Sequence, residues 1–443
     1  MRLKQRVGDF RVRELLARDY LGTQGDHRVY RVTKRKLTSD EAARLLADEA
    51  GVEAGEVCIA GLKDRQGITI QYMSVARGRE VRLALPELRV ETVGFAERAL
   101  SSAHSLGNAF ELTVRALRSA DVAQLRMNLP LMRDFGVPDY FDDQRFGNLT
   151  HGQGWIYRDL CQGRHEAALR NLLGASSPYD DDRHRRFKEG LARHWGDWRE
   201  CRDDAGRFGA HHSVFEHLAR QPDDFAGAFA HVATRVKLIH LFAWQSHLWN
   251  RAVVELVRDG VAAEERVVLE SEEGKLLAYR GVPPPALAAR TTFPLPGERL
   301  EGVAPADRER FERVLAEEGL TPEQMAVAGV PGFALKGEER PLLLRPTHLR
   351  VRPPEPDNLN RGDLCVRVRF ELPRGSYATL VVKRLFAGSP LERRPPAHPP
   401  RAPGKPGGSA PGRGDRERDR GRPAGRPDEG RRRPPGRNPW PKN

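Results

Sequence analysis

Cysteine is scarce. The 443 residues hold four, Cys58, Cys161, Cys201 and Cys365, far apart and without a CxxC pair. A disulfide framework or a structural zinc cluster has little to build on, and the reducing cytoplasm is the simpler compartment. No run of about 18 apolar residues occurs, which argues against a membrane-spanning helix. The N-terminus, MRLKQRVGDFRVRELL, lacks the apolar stretch of a secretory leader. A Gly-rich phosphate loop is also missing. The nearest approach to a metal cluster, His211, His212 and His217 in GAHHSVFEHL, matches neither HExxH nor a zinc-finger spacing. We therefore expect no cofactor, no metal and no membrane association.

Acidic residues are outnumbered, 61 against 74 lysines and arginines, giving a net charge of +13 and a pI near 9.9. That balance favours a polyanionic partner. Its distribution qualifies the point. Residues 387–443 hold 15 basic and 6 acidic residues, +9 of the total, which leaves +4 for the rest. This stretch is dominated by Pro, Gly and Arg, with Trp440 as its one aromatic. It cannot bury a core and reads as a disordered basic tail that adds salt-sensitive affinity for RNA or serves only as a solvated end.

The body is 39% hydrophobic and 30% charged over the whole chain, which suits a folded protein. Thr38 and Glu41 form a capping box ahead of DEAARLLADEA, which Gly51 is placed to end. Val57 to Leu62 reads as a short buried strand, followed by a turn at Gly67 and the β-rich ITIQYMSV. Phe110, Leu112 and Val114 alternate with polar neighbours, as do Leu364, Val366, Val368, Phe370 and Leu372, and both runs predict strands. Leu238, Ile239, Phe242, Leu248, Trp249, Val253, Leu256 and Val257 mark one face of a long helix that Gly260 could close. ADRERFERVLAEEG predicts another. The fold class is α+β: a mainly antiparallel mixed sheet built from both ends of the body, interrupted by a largely helical insertion.

Three segments could carry chemistry. CIAGLKDRQGITIQYMSV sets Asp64 between Lys63 and Arg65, cations that favour an ionised carboxylate fit for a nucleophile or base; the alternative is a solvated turn aspartate. GVPDYFDDQRFG, residues 136–147, gathers Asp139, Phe141, Phe146, Gln144 and Arg145. The aromatics either wall a pocket or plug the core, while Gln144 and Arg145 are donors for a base edge or phosphate. RFELPRGSYATLVVKRLF puts a turn before Tyr377, whose ring is suited to a flat partner, and makes Lys383 a candidate ion-pair partner for a catalytic carboxylate.

Taken in order, these segments resemble the signature of the TruD family of tRNA pseudouridine synthases. GLKDR resembles its G-x-K-D segment, DYFDDQRFG its N-Y-F-G-x-Q-R-F-G motif, and LPRGSYAT its L-P-x-G-S-[FY]-A-T segment. DFRVRE, LGNAFELTVR and AWQSHLWN are further matches, so the likeness spans Val7 to Phe386. It implies a pseudouridine-synthase catalytic domain over residues 1–148 and 346–386, and a TruD-type α/β insertion domain over 149–345. It also implies Asp64 as nucleophile, with Phe10, Asp139 and Tyr377 at the uridine site beside Lys63, Phe141, Gln144, Arg145 and Lys383. The expected activity is isomerisation of a tRNA uridine, at position 13, with tRNA the expected partner and no obligate protein partner. Two departures stand out: the family's Asn is Asp139 and its Gly is Asp142. They leave room for a non-catalytic RNA-binding or RNA-chaperone protein on the same scaffold, and a metal-dependent hydrolase is the remaining alternative.

Overall fold

The computed structural model describes residues 1–388 except 148, 150–153, 178–179, 207–210, 328, 331 and 333. The basic tail read from the sequence, apart from Ala387 and Gly388, lies outside the described residues. Its expected start is corrected by one contact: Ala387 is buried and its carbonyl accepts from the Asn128 side chain at 2.9 Å.

Capping chemistry and strand alternation set the elements of the first third. They are β1 (Phe10–Leu16), β2 (His27–Arg35), α1 (Ser39–Ala50), β3 (Cys58–Ile59), β4 (Ile68–Ala76), β5 (Arg82–Ala84), β6 (Leu88–Ala96), β7 (Ser105–Leu117) and α2 (Ser119–Asp134). The Thr38 hydroxyl accepts from Glu41 N at 3.1 Å, the Glu41 carboxylate accepts from Thr38 N at 2.7 Å, and Gly51 ends α1 in the left-handed conformation. That reciprocal box is the one expected from the sequence.

The middle opens with the short β8 (Val137–Pro138). Helices α3 (Ile156–Cys161), α4 (His165–Gly174), α5 (Asp182–His194), α6 (Trp198–Ala205), α7 (His212–Arg220) and α8 (Phe225–Ala228) lead to the 27-residue α9 (Thr234–Gly260). Then come the hairpin β9 (Arg266–Ser271) and β10 (Gly274–Tyr279), α10 (Pro285–Ala288), β11 (Thr292–Leu295), α11 (Pro305–Glu317), β12 (Glu338–Pro341) and β13 (Leu343–Leu344). The chain closes with β14 (Thr347–Val351), β15 (Glu355–Pro356), β16 (Leu364–Pro373) and α12 (Ala378–Leu385).

Ten strands form one sheet, with the path β14-β16-β7-β1-β4-β2-β6-β5; β15 adds to β16 and β3 to β4. The pairing of β1 with β4 is parallel and the others are antiparallel, so the sheet is mixed and drawn from both ends of the chain. The middle leaves and returns at neighbouring points, because β8 pairs with β13 through Val137↔Leu344 and Pro138↔Leu343. One continuous apolar core runs from the sheet (Leu112, Val114, Val368, Phe370) through α2 and α12 to the rings of Trp244, Trp249, Phe293 and Phe311. A smaller core lies beneath α1.

Two sequence expectations are corrected. The strand expected over 57–62 is only Cys58–Ile59 and is half-buried; the chain beyond it is a loop whose polar groups are met by side chains. The apolar face expected along α9 is also not uniformly buried. Trp249 and Val253 are fully covered, but Phe242 is 43% exposed, because the N-terminal end of the helix overhangs a cleft.

Candidate active site

The Asp64 loop is fixed from three sides. Lys34 is wholly buried and its ammonium donates to the carbonyls of Leu37 (2.8 Å), Lys63 (3.2 Å) and Asp64 (2.8 Å). Burial pulls its pKa down to about 8, against the opposing charge of Asp64. Ser39 Oγ accepts from Lys63 N at 2.9 Å and donates to Gln71 at 2.9 Å, while Lys63 Nζ pairs with the buried Glu14 at 2.6 Å. At the turn, a Cβ on Gly67 would lie 2.7 Å from the Phe10 carbonyl, so only glycine lets this loop close against β1.

The Asp64 carboxylate is 23% exposed. Its Oδ2 accepts from Lys4 Nζ at 2.5 Å and its Oδ1 from Gln66 N at 2.9 Å. Burial alone would raise its pKa. The hydrogen bonds from Lys4 and Gln66, together with the charges of Lys4 and Lys34, outweigh burial and hold it below the ordinary carboxylate value. The same ammonium lies 4.2 Å from the centre of the Phe10 ring. Asp64 is thus an ionised group on a rigid loop.

It opens into a cleft of about 740 Å³. Phe10 and Val12 of β1 and Asn108 and Phe110 of β7 form one wall, and Gln144, Arg145, Ser376 and Tyr377 another. Arg235, Leu238, Ile239 and Phe242 of α9 complete it. Six of the residues singled out in the sequence are therefore brought together: Phe10, Lys63, Asp64, Gln144, Arg145 and Tyr377.

Asp139, Phe141 and Lys383 are not on this lining. Asp139 is 2% exposed and sits behind the wall, where its Oδ2 accepts from Ser376 Oγ at 3.1 Å and pairs with Arg340 at 3.1 Å. Its Oδ1 has no hydrogen-bond partner among the described residues, and burial pushes its pKa up to about 6 despite Arg340. Phe141 is buried and backs Tyr377, with ring centres 6.3 Å apart. Phe146 likewise packs inward on Trp155. Of the two roles open to these phenylalanines, packing is the one they take. The ion-pair role expected of Lys383 is corrected: its ammonium reaches Asp142 (2.5 Å) and Asp143 (2.7 Å), and the partner of Asp64 is Lys4. Asp142 takes φ −103°, an ordinary conformation for any residue, so replacing glycine there costs no backbone strain.

Sequence reasoning missed Arg340 and Asn250. Arg340 donates to the Asp139 carbonyl (3.0 and 2.8 Å) and to the Gly375 carbonyl (3.2 Å), and lies 4.0 Å over the Phe141 ring. Asn250, the last residue of AWQSHLWN, accepts from Phe141 N at 2.9 Å and donates to Phe141 O at 2.8 Å. Its place in a matched segment was the available signal; Arg340 had none. Among the described residues no cluster of three or more His, Cys, Asp or Glu side chains is arranged to hold a metal, and no helix is long and apolar enough to cross a membrane.

A mixed sheet crossed by a carboxylate-bearing cleft, with a helix-rich excursion forming its far wall, defines the class. A family model described as TruD, tRNA pseudouridine synthase D, matches residues 1–385. The chain is 30% identical to the probable tRNA pseudouridine synthase D 2 of Methanocaldococcus jannaschii over 401 residues, 89% of this chain and 93% of that protein. It is 31% identical to tRNA pseudouridine synthase D of Geobacter metallireducens, covering 87% of this chain and 95% of that one. A crystal structure of a putative tRNA pseudouridine synthase D from Methanosarcina mazei shares the fold, with a TM-score of 0.66 at 23% identity over 87% of this chain and 93% of that one. The chain belongs to the TruD family of tRNA pseudouridine synthases.

Proposed function

We propose that this chain isomerises a tRNA uridine to pseudouridine with Asp64 as nucleophile and without a cofactor. The reaction breaks the C1′–N1 bond, turns the uracil and joins C1′ to C5; C5 gives up a proton and N1 gains one. Nothing is oxidised and no group is donated. The observation that supports this reading is the Asp64 carboxylate, held ionised by Lys4 and the Gln66 N–H on a cleft that also presents Phe10 and Tyr377. An unstacked uridine loses a few kcal/mol on leaving its helix. Stacking on such rings returns about 1–3 kcal/mol per base.

Position 13 is the target that the family resemblance implies. Gln144 and Arg145 serve as donors to the base or its phosphate, and Lys63 holds the Asp64 loop through Glu14. Asp139 and Phe141 act from behind, by fixing Ser376 and Tyr377, and Lys383 acts by anchoring the loop at Asp142 and Asp143. We take residues 1–148 and 346–386 as the catalytic domain, 149–345 as the insertion, and the cytoplasm as the place of action. Asp64→Asn is expected to abolish pseudouridine formation, mapped site by site on a tRNA pool, while tRNA affinity and the unfolding midpoint stay near those of the wild type. Pseudouridine made by that variant would overturn the assignment.

A further inference from the structure

Beside the catalytic cleft a second cavity, of about 1110 Å³, opens against the N-terminal segment and the ends of β1 and β2. Arg6, Arg11, Arg35, Lys36 and Arg65 line it, and none of the five makes an ion pair with a described residue. The acids on the same lining are paired with other arginines: Asp9 with Arg115 at 2.8 Å and Glu355 with Arg367 at 3.3 Å, both on the lining, and Glu111 with Arg369 at 2.5 Å. Five cations outside any ion pair among the described residues, gathered in one concavity of a body whose net charge is only +4, make a local positive field that overall composition does not reveal.

The cavity is firmly built. Arg65 Nε donates to the Lys36 carbonyl at 3.2 Å, and buried Lys34 ties Leu37 to Lys63 and Asp64. Lys4 and Lys36 both lie on its lining with left-handed backbones, φ 55° and 57°. Non-glycine residues hold that conformation only where their surroundings impose it. Lys4 also donates to Asp64, so one side chain links the lining of this cavity to the carboxylate of the neighbouring cleft.

We infer that this cavity receives the sugar–phosphate backbone of the same RNA whose uridine enters the Asp64 cleft, with its arginines and lysine acting as phosphate sites. The inference rests on the function proposed above and adds where the flanking strand runs. Such contacts fix the register of the RNA without reading its sequence. The chain's own tail is excluded as occupant because it carries +9, the same sign as the cavity.

The test uses the full chain and an unmodified tRNA transcript, with affinity measured against salt concentration. The triple variant Arg6→Gln, Arg11→Gln, Arg35→Gln is expected to lower the slope of log affinity against log salt by about 2, at roughly 0.7–0.9 per contact, and to raise KM for tRNA. A charge-matched control, Arg126→Gln, Arg193→Gln, Arg299→Gln, should leave slope and KM unchanged. Replacing the three cavity arginines by lysine should restore the slope, which separates charge loss from misfolding. An unchanged slope in the cavity triple, or an equal drop in the control, would overturn the inference. Absence of pseudouridine from the wild-type reaction would instead overturn the function, and the binding slopes could still be read.

Discussion

Asp139 shows how one substitution within a signature can be absorbed. Where the family has a neutral amide, this chain buries a carboxyl whose Oδ1 is unpartnered among the described residues and whose pKa rises to about 6, against an ordinary 3.8. Below that value the protonated acid is neutral, like the amide it replaces; above it, Arg340 is the compensating charge. Between the unfolded and folded pKa values the folded chain binds the extra proton, so stability falls as pH rises through that window. Comparing Asp139→Asn with the wild type by denaturant unfolding should show the variant gaining, relative to wild type, on the order of 2–3 kcal/mol between pH 4 and about 6.5, and no further change above it. A difference that stays flat from pH 4 to about 7 would refute the buried-acid account. The sequence marks Asp139 as a departure and allows a raised pKa from a close pair of acids, but burial as the cause was not legible, because a motif shows which residue is present and not whether its carboxyl faces the cleft or the core. Lys4 was hidden for a related reason. It meets Asp64 across 60 positions of sequence, a contact created by the parallel pairing of β1 with β4.

At the scale of elements, periodicity served well where a single environment covers a whole segment. The capping box of α1, the alternation along β16 from Val366 onward and a long α9 that ends at Gly260 are found as expected; at the start of β16 a register shift turns Cys365 inward. Periodicity failed where one element passes between environments: Leu238, Ile239 and Phe242 continue the apolar stripe of α9 yet line the cleft, the first two half-buried and Phe242 exposed. Further along the same helix, Asn250 pairs with both the N–H and the carbonyl of Phe141, making α9 the clamp of the second signature loop. Asn250→Ala would strand two buried peptide groups and is expected to cost on the order of 2–4 kcal/mol. Thermal unfolding should show the lowered midpoint, and turnover should fall as Phe141 ceases to back Tyr377. A midpoint equal to that of the wild type would mean that the clamp is dispensable.

For the molecule as a whole, charge is divided between a basic cavity near the Asp64 cleft and a basic C-terminal stretch. Deleting residues 389–443 removes +9 of the +13. Because such charge acts through counterion release, the truncated chain should bind tRNA more weakly at low salt, with a flatter salt dependence, and converge on the full chain near about 0.5 M salt. Turnover at saturating tRNA should be the same for both, and a loss of turnover would assign the tail a role in the chemistry. The pairing of β8 with β13 has a separate consequence. Because the excursion between them begins and ends on hydrogen-bonded neighbours, its length places no tension on β1 and β4 or on the segments before them, where Lys4 and Asp64 lie. The excursion can therefore lengthen or shrink and so recut that side of the cleft while the Asp64 carboxylate keeps its seat.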